Sequence, residues 1–131
     1  FDPELSQNNP PEAIIALRNA IENANGILIC TPEYIFSIPS GLKNAIEWCI
    51  ATTIFSNKPT GLITASPSGQ KAHQELQLIM QTAMAKFTTE TTLLISEIKG
   101  KLDHQGNFTD DKTEKQLLNF IDTFVGLVKN E

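Results

Sequence analysis

An aliphatic run that breaks into a polar turn and restarts as a helix is the feature that most constrains this chain, and it occupies residues 26–48. Ile27, Leu28, Ile29 and Cys30 form a short apolar stretch bounded by Gly26 and Pro32, the pattern of a buried strand. From Pro39 the period changes. Leu42, Ala45, Ile46, Cys49 and Ile50 recur at i, i+3, i+4, i+7 and i+8, one stripe of an α-helix. Pro39 suits the first helical turn, where its missing N–H has no intrahelical partner to lose. Because residues 27–30 show no polar alternation, the strand is expected to be covered on both faces, as parallel strands in α/β sheets are. A loop that leaves the carboxyl end of such a strand and enters a helix is where open α/β sheets place their ligands. That loop is the first candidate site.

The remaining segments repeat the theme. Residues 1–11, rich in Pro, Asn and Asp, read as a surface loop. Asn9, Pro10, Pro11 and Glu12 form a helix-start signature, with Asn9 as the capping residue. The helix carries Ile14, Leu17, Ile21 and Ala24 on one face and is expected to end at Asn25 and Gly26, with glycine in the left-handed conformation of a C-cap. After a polar connection, residues 59–66 read as a second strand, and residues 66–70 as a second turn at a strand's carboxyl end. A long helix follows with Ala72, Leu76, Ile79, Met80, Ala83 and Phe87 inward. Residues 91–95 form a third strand and residues 103–107 a turn after a short extended segment. The last helix begins near Thr109 or Asp110 and carries Leu117, Ile121, Phe124, Val125 and Val128 inward. The order αβαβαβα, with right-handed crossovers, puts helices on both faces of a parallel sheet.

At 131 residues the chain is of single-domain size, and one domain over 1–131 is the expectation. The net charge of −5 is spread without a basic stripe, so no nucleic-acid partner is expected. No apolar run approaches the roughly twenty residues needed to span a bilayer, and the chain is expected to be cytoplasmic without a membrane partner. Cys30 and Cys49 follow no paired-cysteine spacing and read as buried free thiols. His73 and His104 read as solvated and too far apart in pattern for a metal site. Glu33 and Glu47 suit surface or interface ion pairs better than catalysis, since no second carboxylate or histidine is spaced to tune them. Trp48 lies off the apolar stripe, compatible with exposed packing or a subunit interface, and Tyr34 with ring stacking, a dimer contact or simple packing.

Thr31-Pro32-Glu33-Tyr34, then Ser37-Ile38-Pro39, then Leu42-Lys43-Asn44-Ala45-Ile46-Glu47-Trp48 resembles the signature of the NAD(P)H-dependent FMN reductase family, whose members include quinone, azo-dye and chromate reductases. The resemblance implies a flavodoxin-like three-layer α/β/α fold with a parallel sheet, of which this chain supplies the last three strands. It implies FMN and NAD(P)H as cofactors, ping-pong reduction of flavin, quinone or similar small-molecule electron acceptors, and a homodimer or homotetramer. Carried over residue by residue, it assigns Pro32, Glu33, Tyr34, Ile35 and Phe36 to the flavin ring, largely through the main chain, and Ser66, Ser68 and Gly69 to its other side. It implies no catalytic side chain and no metal, because the cofactor supplies the hydride chemistry. The sequence departs from the family pattern at Ile35, where the family has asparagine, and at Phe36, where it has a small residue. Nothing before Phe1 corresponds to the β-α-β unit that would wrap the FMN phosphate, so the chain is expected to be N-terminally incomplete relative to the family. A degenerate binding or dimerisation module without flavin activity is the alternative.

Overall fold

The structure is a computed structural model describing residues 1–130. Helices α1 (Pro3–Asn8) and α2 (Glu12–Asn23) lead into strand β1 (Ile27–Thr31). Then come α3 (Ser40–Glu47), β2 (Thr60–Ser66), α4 (Gln70–Thr82), β3 (Thr92–Ser96) and α5 (Asp111–Lys129), with short 3-10 turns at Thr89–Thr91 and Ile98–Lys101. The strands form one parallel sheet in the order β1-β2-β3, with Ile29 opposite Leu62 and Leu62 opposite Thr92. This is the expected α/β architecture, with β2 in the centre because its run Gly61, Leu62, Ile63 and Thr64 is buried on both faces.

Alternation along β2 divides the core. Leu62 points to the face covered by α3 and α4, where it meets Ile46, Cys49, Ala72, Leu76 and Met80. Ile63 points to the face covered by α5, where it meets Ile95 and Phe120. The half-buried Leu17 and Ile21 of α2 pack against the first cluster, so that helix shares a face with α3 and α4.

Several expectations are corrected. Residues 3–8 are helical rather than looped: the Asp2 carboxylate accepts from Leu5 N at 3.0 Å, and Pro3 sits at the first helical position, where proline is tolerated. Asn9 therefore ends α1, and Pro11, not Asn9, stands at the cap of α2. Ser6 of α1 is buried because Arg18, the chain's only arginine, donates to its carbonyl and hydroxyl and also to the Trp48 carbonyl just past α3. Trp48 is consequently buried, with Phe1 edge-on at 5.4 Å, rather than exposed. On α5 the inward phase is set by Phe120, while Ile121 and Val125 remain exposed.

Strand β1 is not covered on both faces. Ile27 and Ile29 are half-buried, but Leu28 and Cys30 are exposed, so Cys30 is not a buried thiol while Cys49 is. Only β2 pairs with β1 among the described residues, which leaves its outer edge open. Along that edge an apolar groove of about 230 Å³ runs between α2 and α3, lined by Leu17, Ile21, Ile27, Leu42 and Ala45 among others. No described helix is long and apolar enough to cross a membrane.

Gly26 does not adopt the left-handed C-cap conformation, since α2 ends at Ala24 with extended backbone and the positive-φ glycines are Gly69 and Gly106. It is needed for space. A Cβ there would lie 2.7 Å from Val128 Cγ2 and 3.1 Å from the Pro59 carbonyl oxygen. Replacing Gly26 by alanine is expected to cost about 1–3 kcal/mol, the range for overpacking a fixed contact. Urea unfolding of Gly26→Ala measures it; an unchanged midpoint would contradict this account of the α2-to-β1 junction.

Candidate functional site

Parallel pairing places the loops after β1, β2 and β3 along one sheet edge, the carboxyl edge where such sheets hold ligands. The first loop, residues 32–39, contains a closed reverse turn. Tyr34 N donates to the Ser37 carbonyl at 2.8 Å and Ser37 N to the Tyr34 carbonyl at 3.0 Å. The central residues have φ of +50° at Ile35 and +59° at Phe36, the pattern of a type I′ turn. Such turns favour Asn-Gly because the left-handed region penalises a Cβ, most of all a branched one. Holding Ile35 and Phe36 there costs on the order of 1–3 kcal/mol each.

Their side chains recover little of that cost by packing on this chain. Tyr34, Ile35 and Phe36 are 62%, 94% and 72% exposed, three large apolar groups side by side in solvent. The N–H groups of Ile35 and Phe36 donate to no acceptor among the described residues, whereas those of Glu33, Tyr34, Ser37 and Ile38 all do. The tip of the turn thus offers two open backbone donors framed by apolar surface.

Hydrogen bonds at both ends hold this turn. Glu33 sends its carboxylate across to the start of α4, where Oε1 accepts from Gly69 N at 3.1 Å and Oε2 from Ala72 N at 3.0 Å. A carboxylate there satisfies N–H groups that no helix can satisfy for itself and lies at the positive end of the helix dipole. Ser66, the last residue of β2, accepts from Glu33 N at 3.2 Å. In return Glu75 of α4 reaches back to the first loop, accepting the Ser37 hydroxyl at 2.8 and 3.0 Å and Ile38 N at 3.3 Å.

The second loop is equally fixed. Gly69 has φ of +95°, a conformation that calls for glycine, and a Cβ on it would also press on Leu94 Cδ1 at 2.8 Å. The Ser68 carbonyl accepts from Ser96 Oγ at 2.7 Å and the Pro67 carbonyl from Glu97 N at 3.1 Å, which ties in the loop after β3.

The structure thus brings together Glu33, Ser66 and Gly69 by direct hydrogen bonds, and places Pro32, Tyr34, Ile35, Phe36 and Ser68 on the exposed side of the same edge. Ser66 and Gly69 are buried and act as ties rather than surface. Glu33 is a helix cap instead of the expected ion-pair partner. Glu75 and Ser37 carry no signal in the spacing. An acidic residue flanking the apolar stripe of α4 is the one hint, and it does not name a partner 38 positions away.

His73, expected to be solvated, is buried in the first turn of α4, with Nδ1 2.8 Å from Thr64 Oγ1. It turns inward because α4 places it on the side of Ala72 and Leu76 that meets the sheet. Burial penalises the imidazolium and lowers the His73 pKa below its ordinary value.

A sequence profile described as NADPH-dependent FMN reductase matches residues 1–100. The quinone reductase of Escherichia coli (strain K12) is 30% identical over 131 aligned residues, covering 95% of this chain and 70% of that protein. The 2-hydroxy-1,4-benzoquinone reductase of a Burkholderia species is 28% identical, covering 92% of this chain and 69% of that protein. Among solved structures, FerB, a flavoenzyme NAD(P)H:(acceptor) oxidoreductase from Paracoccus denitrificans, superposes with a TM-score of 0.76 at 26% identity, covering 99% of this chain and 74% of that one.

The buried imidazole predicts a pH dependence. The unfolded chain takes up the His73 proton near the ordinary pKa of about 6.5, and the folded chain only at lower pH. The unfolded state therefore binds more protons in the window below about 6.5, and stability present above it is lost as the pH falls. Urea midpoints at pH 7 and pH 5 should drop for the native protein and drop less for His73→Gln. Equal drops would contradict the burial of a neutral imidazole.

Proposed function

This chain belongs to the NADPH-dependent FMN reductase family, an oxidoreductase family using FMN and NAD(P)H, and from that premise we propose that it carries the flavin ring against the turn at residues 34–37 and passes electrons to a quinone or similar small acceptor by a ping-pong exchange. The observation that carries this reading is the pair of open N–H groups at Ile35 and Phe36, framed by exposed apolar side chains on an anchored turn.

The donor set fits the rim of a flat heterocycle. Carbonyl and nitrogen acceptors on such a rim would take the Ile35 and Phe36 N–H groups, while Tyr34 and Phe36 supply apolar surface for a ring face or edge. Phosphate is another matter. A helix N-terminus is a ready anion site, but that of α4 already holds the Glu33 carboxylate, which would repel a phosphate. The described loops after β1 and β2 therefore suit the ring and not the phosphate.

When bound, FMN supplies the hydride chemistry. What this chain contributes is position. Glu33 and Glu75 are spent on backbone and hydroxyl donors, and His73 is buried beneath the sheet edge, so none of them is free to act as acid or base in the site. Tyr34, Ile35 and Phe36 present a surface suited to flat apolar acceptors, in keeping with the quinone substrates named for the Escherichia and Burkholderia relatives. One exposed surface serving both nicotinamide and acceptor requires the first to leave before the second enters, which is the basis of the ping-pong reading.

Mixing the protein with FMN, desalting it and recording the flavin absorbance tests the assignment. The expected result is retained colour that NADPH bleaches and a benzoquinone restores, with parallel double-reciprocal lines when both substrates are varied. Folded protein that leaves the column colourless would contradict it.

A further inference from the structure

We propose that Glu75 is a positioning residue, imposing on the turn at residues 34–37 the conformation that faces the flavin; this rests on the site assignment above. The turn cannot hold itself. Ile35 and Phe36 stand at positive φ, where Asn-Gly would be favoured, and their largely exposed side chains contribute little packing within the chain. Its shape must come from its ends. At the entry, Glu33 is tied through its N–H to Ser66 and through its carboxylate to Gly69 and Ala72. At the return, the polar side-chain ties are those of Glu75, which receives the Ser37 hydroxyl and Ile38 N. Two carboxylates crossing in opposite directions, one from the loop to the helix and one from the helix to the loop, thus clamp the turn against α4.

A clamp that opposes unfavourable local conformation makes a prediction that a merely structural glutamate does not. Its value must depend on how much the turn resists. Exchanging the central pair for the residues a type I′ turn prefers, Ile35→Asn with Phe36→Gly, should make the turn stable alone and Glu75 dispensable to it. Residues sharing one hydrogen-bond network couple in this way, whereas independent sites add.

The experiment is a double-mutant cycle on the full chain without flavin, read by amide hydrogen exchange. Glu75→Ala is expected to speed exchange of the Tyr34 and Ser37 amides, which close the turn, by about tenfold. The amides of Leu62 and Ile63 in β2 should keep their rates. In the Asn-Gly background the same substitution should change those turn amides by less than about twofold. Ser37→Ala deletes the hydroxyl on the other side of the contact and supplies an independent arm, expected to act in the same direction. Equal acceleration in both backgrounds, or none in either, would overturn the clamp. Fluorescence titration of the same four proteins with FMN separates this from the site assignment. A matching pattern of weakened affinity supports both, and an exchange pattern that holds while FMN binds with equal affinity to all four overturns the link between clamp and flavin.

Discussion

The contact on which the carboxyl edge of the sheet depends is the Glu33 carboxylate against the first turn of α4. A helix N-terminus carries unsatisfied N–H groups and roughly half a positive charge, and these must be met from somewhere. Here a residue from the neighbouring loop meets them. The loop after β1 and the helix after β2 consequently cannot move independently, and Ser66 and Glu75 add ties on either side. The same contact decides what kind of ligand this edge can take. It removes the α4 terminus as an anion site and leaves the neutral N–H groups of Ile35 and Phe36 as open backbone donors of the turn.

A rigid frame explains how an unfavourable turn persists. Branched and aromatic side chains at positive φ are found where the surroundings over-determine the backbone, and such strain gathers at functional sites. The exposed Tyr34, Ile35 and Phe36 are costly in water as well as in conformation, since contiguous apolar surface on a protein marks a place where something binds. Flavin chemistry suits such a site, for it asks the protein for orientation and surface more than for proton transfer. Among the described residues strand β1 also offers an open edge, with Leu28 and Cys30 exposed on one face and an apolar groove on the other.

Much of the architecture was legible because apolar runs and turn residues act locally. The strands at Ile27, Thr60 and Thr92 and the α4 stripe from Ala72 to Met80 follow from period alone, whereas Ala83 and Phe87, expected on that stripe, lie past the helix end at Thr82 and still pack on the core. What failed depended on distant partners. Nothing local says that Arg18 will bury Ser6 and Trp48, or that Thr64 will receive His73. Gly26 looked like a helix cap and is instead a spacer against Val128, a residue about a hundred positions away. The edge position of β1 reversed the expected burial of Cys30, because a hydrophobic run signals a strand but does not say how many neighbours that strand has. Among the candidate residues, the family signature pointed to the loop after β1, and the departures at Ile35 and Phe36 became intelligible only once their φ angles were known.

The most direct test of this account is an FMN titration followed by amide 1H–15N spectra of the protein. The Ile35 and Phe36 resonances should move furthest, together with those of neighbours in the loops after β1 and β2. Saturable binding that leaves these two amides unmoved, and shifts the groove along β1 instead, would contradict it.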